Sequence, residues 1–256
     1  SAEPRACFKT RSNVWAPPLL RLTVTVSAAL LLVGCAISGG NDGHTAQAGT
    51  QIAATFAADG KLWRATAGTQ YLYVDFSSDA GQSFNRPVAI NRQPQRIHAS
   101  NDDRPHIAVD KAGGRIWVTY AADAVLPSTA YFSYSDDGGQ SFSEPAPISD
   151  QASSASALLA NLALDTQGHP HFFWHDGRDD GAGHNQDHGG SLYYASMATP
   201  TAHAPAAKRI LRSACERCPI EVAFDNDGLP VLFSRLVFPI KERDHGLVKA
   251  TSDGKG

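Results

Sequence analysis

Residues able to do chemistry gather in a few short stretches of this chain. Residues 91–104 hold Arg92, Arg96, His98, Asp102, Asp103 and Arg104. Residues 175–188 form the most charged stretch, with Arg178 among aspartates and histidines, and Arg235, Arg243 and His245 follow further on. Guanidinium groups bind carboxylates in a two-point fashion, and a carboxyl group set among them can hold or release a proton. Cys215 and Cys218 make a Cys-x-x-Cys pair. Such a pair reads either as a local disulfide pinning a loop or as part of a zinc or redox site. His169, His171 and His175 share one strand parity, with Phe172 and Trp174 opposite. Neighbours on one strand seldom converge on a tetrahedral ion without a second element. A polar edge strand is therefore the plainer reading, and no metal or other cofactor is expected.

The composition bounds what these residues can serve. With 42% hydrophobic and 18% charged residues among 256, the chain fits an ordinary globular protein of one large or two small domains. A net charge of −3 with scattered basic residues lacks the positive footprint of a nucleic-acid binder, so no nucleic-acid partner is expected.

Residues 1–35 read as a leader. Arg5, Lys9, Arg11 and Arg21 precede an uncharged run from Leu22 to Gly34, the basic and apolar regions of a secretory signal. Leu32-Val-Gly-Cys35 closes that run and resembles a bacterial lipobox, which implies a diacylglycerol on the Cys35 sulfur and a membrane-anchored, exported protein. A plain signal anchor is the alternative. Residues 36–50 then form a polar, flexible linker. With Cys7 in the leader and Cys35 acylated, Cys215 and Cys218 are left as the remaining pair of the 4 cysteines. The chain opens at Ser1, has Met197 as its only methionine and closes at residues 251–256 inside what reads as one more repeat copy, so part of a longer protein is expected.

The rest is repetitive. Ala108-Val-Asp110-x-x-Gly113, Ala163-Leu-Asp165-x-x-Gly168 and Ala223-Phe-Asp225-x-x-Gly228 share one pattern recurring about every 55–60 residues, with a weaker copy at Ala57-Ala-Asp59-Gly60. Each copy reads as strand, Asp/Gly turn and a second strand rich in aromatic and β-branched residues. A third strand follows, and in two copies it runs into Ser77-x-Asp79-x-Gly81-x-Ser83-Phe84 or Ser135-x-Asp137-x-Gly139-x-Ser141-Phe142. There the carboxylate caps turn amides, glycine accepts a positive φ and the aromatic tucks beneath. The third copy reads Ala195 to Pro200 instead.

These two turns match the Asp box, or BNR repeat, and the chain resembles the sialidase (neuraminidase) superfamily. The resemblance implies an all-β, sialidase-like propeller with about four blades, near residues 51–97, 98–150, 151–212 and 213–256, of a probable six. Strands alternate in direction, so Asp boxes share one end with the first-to-second strand turns. The second-to-third strand loops and blade crossings, carrying the charged stretches above, share the other, where function is expected.

Sialidases hold a sugar carboxylate with arginines and use an aspartate as acid/base. On that resemblance Asp103 is the acid/base candidate, and Arg178 and Arg243 are the arginine candidates. A solvated ion pair is the plain alternative for Asp103 and Arg104. The family's Arg-Ile-Pro motif is missing, since residues 49–56 hold no arginine. The reading that results is a membrane-tethered propeller binding a glycan or protein ligand, with an exo-α-sialidase as the alternative.

Overall fold

The computed structural model describes residues 50–100, 103–111, 114–123, 128–149, 157–179, 190–200, 206–215, 218–237 and 243–249. The leader with Cys35, the linker before Thr50, Asp102, Gly113, the loop 180–189, Lys241 and residues 251–256 lie outside the described residues. Among the described residues one turn of 3-10 helix, Gly177–Asp179, is the only helical element, and no helix is long and apolar enough to cross a membrane.

The strands form successive antiparallel sheets. The first is β1 (Gln51–Phe56), β2 (Leu62–Ala67), β3 (Leu72–Ser77) and β4 (Val88–Ala89), each paired with the next. The second contains β6 (His106–Val109), β7 (Ile116–Asp123), β8 (Thr129–Ser135) and β9 (Ala146–Pro147). Its inner edge starts earlier than the sequence suggested, because β5 (Arg96–Ile97) pairs with Ala122 and Asp123 at the far end of β7. Residues 98–105 interrupt that inner strand between β5 and β6. The third sheet is β10 (Ala157–Leu164), β11 (Pro170–Asp176), β12 (Gly190–Ser196) and β13 (Lys208–Ala214). The fourth sets β15 (Pro230–Val237) between β14 (Glu221–Phe224) and β16 (Arg243–Lys249), and is joined to β13 through Ala214 opposite Leu236.

The second and third sheets are apolar on both faces, which forces the four to stack. Along β7, Ile116, Val118 and Tyr120 join a cluster with Trp63, Leu72 and Val74 of the first sheet, while Trp117 on the opposite face joins Phe172 and Trp174 of the third. Phe173 turns the other way and packs with Leu192, Ile220 and Leu232 against the fourth. Fully burying a side chain of this size stabilises the fold by roughly 1.5–3 kcal/mol. Met197 also enters the core between the second and third sheets, from the segment where the third copy lacks the Ser-x-Asp turn.

The turns explain the repeated aspartates. Asp165 Oδ1 accepts the amides of Gln167 and His169 at 2.8 and 2.9 Å, and Asp225 Oδ1 accepts those of Asp227 and Leu229 at 2.9 Å. In the first copy Ala57 takes that place and Asp59 supplies the carboxylate two residues later, bonding the Lys61 amide. In the second copy the turn is one residue longer, and Gly114 has a positive φ and donates to the Asp110 carbonyl.

The two Ser-x-Asp turns, joining β3 to β4 and β8 to β9, repeat one hydrogen-bond set. Ser77 and Ser135 each donate to an aspartate oxygen, at 2.6 and 2.7 Å, and accept the amides of Gly81 and Gly139. Asp79 and Asp137 also take the amide and hydroxyl of Ser83 and Ser141. Those hydroxyl and amide donors bring both carboxyls down to about 2. Phe84 lies beneath the Arg64 guanidinium at 3.6 Å, and Phe142 packs against the core shared by the first two sheets.

Ala80 and Gly138 hold equivalent left-handed positions, with φ of 58° and 70°. A Cβ on Gly138 meets nothing, whereas one on Gly139 would lie 2.6 Å from the Trp63 ring of the neighbouring sheet. Chemical denaturation should therefore show Gly138→Ala costing about 1 kcal/mol and Gly139→Ala about 3 kcal/mol or more. Equal losses would mean that the turn does not bear on Trp63.

Candidate functional site

At the end of the sheets opposite the capped turns, the interruption of the inner strand by residues 98–105 folds around His98. Its Nδ1 lies 3.1 Å from Asp103 Oδ2 and its Nε2 lies 2.8 Å from Asp123 Oδ1 at the end of β7. Ser128 Oγ donates to the same Asp123 oxygen at 2.6 Å, and Arg96 lies 3.5 Å from the other. The loop closes on itself as Asp103 N donates to Ser100 Oγ and Ser100 N to the Asp103 carbonyl. Asp103, chiefly, and Asp123 raise the His98 pKa, against the opposing effect of burial. Burial works against ionising Asp123, but Ser128 and His98 still bring its carboxyl below the usual range.

This array contains a serine, a histidine and an aspartate in contact, yet it cannot act as a nucleophilic triad. Both imidazole nitrogens face carboxylates, which favours the doubly protonated ring. A serine nucleophile needs the facing nitrogen unprotonated to take its proton, and Ser128 instead gives its hydrogen to Asp123. The cluster is a clamp holding the crossing loop to the end of β7.

Arg178 belongs to a second cluster. Its guanidinium donates to Asp176 Oδ2 at 2.7 Å and to Ser149 Oγ at 2.6 Å, and lies 4.4 Å from the centre of the Tyr193 ring. The Trp174 indole donates to the same Asp176 oxygen, and the Tyr193 hydroxyl donates to Asp179, which Arg209 also meets. Burial and the Asp179 carboxylate push the Tyr193 phenol up to about 12.

Nearest the axis the inner strands converge. Arg104, preceding β6, pairs with Glu221 at the start of β14 at 3.3 Å, spanning the second and fourth sheets. Leu159 takes a φ of 52° at an irregularity of β10, a strained conformation for a residue with a side chain. With His106, Pro219 and Ile220 these residues leave a cavity of only about 10 Å³. Burial, aided by Arg104, pulls His106 down to about 4. Cys215 and Cys218 are joined by a disulfide in the crossing before β14. Beside them His175 is buried, neither ring nitrogen makes a well-formed hydrogen bond among the described residues, and burial takes it to about 4 against the backbone of Cys218.

Of the sequence candidates, Asp103 is thus bound to His98, Arg178 to Asp176 and Ser149, and Arg243 opens β16 opposite Val237 at the same end of the sheets. His171 and His175 do share the face turned to the fourth sheet, but His171 meets Tyr194 and Phe224 far along the strand from His175. Among the described residues no group of three or more His, Cys, Asp or Glu side chains is arranged to hold a metal ion. Sequence reasoning missed Asp123, Ser128, Asp176 and Ser149. The two aspartates were legible in principle as carboxylates closing otherwise apolar strands.

No protein-family model matches this chain, and no curated protein matches it significantly. Among solved structures it is similar to a protein of unknown function from Dyadobacter fermentans, at 15% identity and a TM-score of 0.53, over 78% of this chain and 60% of that one. It is also similar to a Hadza microbial sialidase, at 16% identity and a TM-score of 0.54, over 81% of this chain and 45% of that one. The fold is all-β and propeller-like. At these identities the likeness is one of fold, and the chain spans less than two thirds of either structure's length.

The His98 clamp has a signed pH dependence. Its stabilising contribution is fully present below the ordinary histidine value of 6.5 and is lost as pH rises through the raised, folded-state value. The thermal midpoint of the protein should exceed that of His98→Gln most at about pH 6, with the gap narrowing toward about pH 9. A gap that widens with pH would contradict an imidazolium between two carboxylates.

Proposed function

We propose that the chain is an exported, membrane-tethered Asp-box propeller that binds a glycan or protein ligand at the loop end of its sheets. The observation carrying this reading is that Asp103 and Arg178, the groups best suited to turnover, are each engaged within the protein. An acid/base must exchange protons with a reacting oxygen, and Asp103 is buried against an imidazolium. Arg104 and Glu221, in contrast, stand partly exposed at the axis and offer a guanidinium and a carboxylate to a docking molecule. The relative named a sialidase supports a glycan over other ligands.

Tethering rests on Cys35 and the leader before it. Replacing Cys35→Ser should move the protein from the membrane to the soluble fraction and remove a diacylglycerol mass from its N-terminus. Continued membrane association without lipid would favour the plain signal anchor.

Glycan-array binding with the full chain, run beside release of sialic acid from a fluorogenic sialoside, tests the rest. Saturable binding without product, weakened about tenfold by Arg104→Ala, is the outcome this reading requires. Release of sialic acid that disappears in Asp103→Asn would replace it with an exo-α-sialidase.

A further inference from the structure

The inner strands leave almost no room at the loop end and a larger cavity at the other. Where Arg104, Ile220 and Leu159 meet there is room for about 10 Å³, whereas at the capped-turn end the ends of β6, β10 and β14 enclose about 340 Å³. That volume is in the range of small-ligand sites, roughly 300–1,000 Å³. We propose that this turn-end cavity is a second binding site, taking one or two rings of a neutral sugar. The inference goes beyond the loop-end reading and does not depend on it.

The wall chemistry selects the ligand class. The deeper lining comes from strand residues, Leu164 and Val222 among them, with Phe224 braced edge-on by His171 at 4.7 Å between ring centres. The outer lining comes from turn residues: Asp110 brings a carboxylate, Lys111 an ammonium and Thr166 a hydroxyl. Asp165 also lines the cavity, but its oxygens already serve the amides of Gln167 and His169 and the two imidazoles. An apolar, aromatic floor beneath a rim of mixed donors and acceptors suits a pyranose, whose C–H face packs on a ring while its hydroxyls point to the edge. The Asp110 carboxylate offsets the Lys111 ammonium, leaving no net positive charge to draw an acidic sugar. The position is rigid, because a Cβ on Gly168 would collide with the Asp110 carboxylate of the neighbouring sheet.

Saturation-transfer NMR on the full chain, titrated with cellobiose, maltose, lactose and 3′-sialyllactose, tests the proposal. At least one neutral disaccharide should bind saturably at millimolar concentration or below. Binding should weaken about tenfold in Phe224→Leu, which keeps apolar volume but removes the ring, and in Asp110→Asn, while Arg86→Ala at an exposed position leaves it unchanged. Thermal midpoints near that of the unsubstituted protein would show that these variants fold. No saturation by any neutral sugar up to roughly 50 mM overturns the proposal, as does binding that both turn-end variants leave intact. Equal binding of 3′-sialyllactose through the same residues overturns the neutral class. A sugar lost only in Arg104→Ala belongs to the loop end and leaves this cavity without its ligand.

Discussion

The second and third sheets of this protein are apolar on both faces, and that constraint governs the rest. A sheet with one wet face can stand at a surface, but β7 buries Trp117 toward one neighbour and Ile116, Val118 and Tyr120 toward the other. Such a strand is stable only as the filling between two further sheets. Stacking then fixes where the backbones approach most closely, at the turn end, where Gly139 lies against Trp63 and Gly168 against Asp110. Glycine there has a steric reason as well as a dihedral one.

The same stacking explains why the carboxylate-capped turns recur while the opposite loops diverge. A short turn between packed sheets exposes several amides that no strand partner reaches; one aspartate oxygen accepts two of them at once in the turns of Asp165 and Asp225, and one amide with a serine hydroxyl in those of Asp79 and Asp137. Nothing comparable limits the loop end, where the crossings are long and each is closed in its own way. One uses the His98 clamp, one the strained bulge at Leu159, and one the Cys215–Cys218 disulfide.

That contrast decides what the sequence made legible. Period-two patterns and Asp-Gly turns are local, so the strands, the two Ser-x-Asp turns and the opposed faces of Phe172 and His171 could be read from residue spacing. Partners across crossings are not local. His98 and Asp123 are 25 residues apart and Arg178 and Ser149 are 29 apart, and no spacing rule links them. The early start of the inner strand at Arg96 was hidden for a related reason, since only the length of β7 shows that two short segments share one partner. In the turn after Asp110 the sequence offers two adjacent glycines, and spacing alone did not show that Gly114 would bond to the Asp110 carbonyl.

The engaged state of the charged loop residues bears on what kind of site this end can be. A buried ion pair with both partners hydrogen-bonded adds little to net stability over an apolar pair, yet removing one partner is costly. Such clusters therefore hold geometry. His98 ties a crossing to a strand end, and Arg178 ties Ser149 of the second sheet to Asp176 of the third. Groups held this way present a fixed surface, whereas an acid/base residue must be able to change its protonation at low cost while substrate is bound. Asp103 would have to leave His98 to do so, leaving a half-buried imidazole against Asp123 alone. The arrangement thus favours recognition on a preformed surface over proton transfer at Asp103.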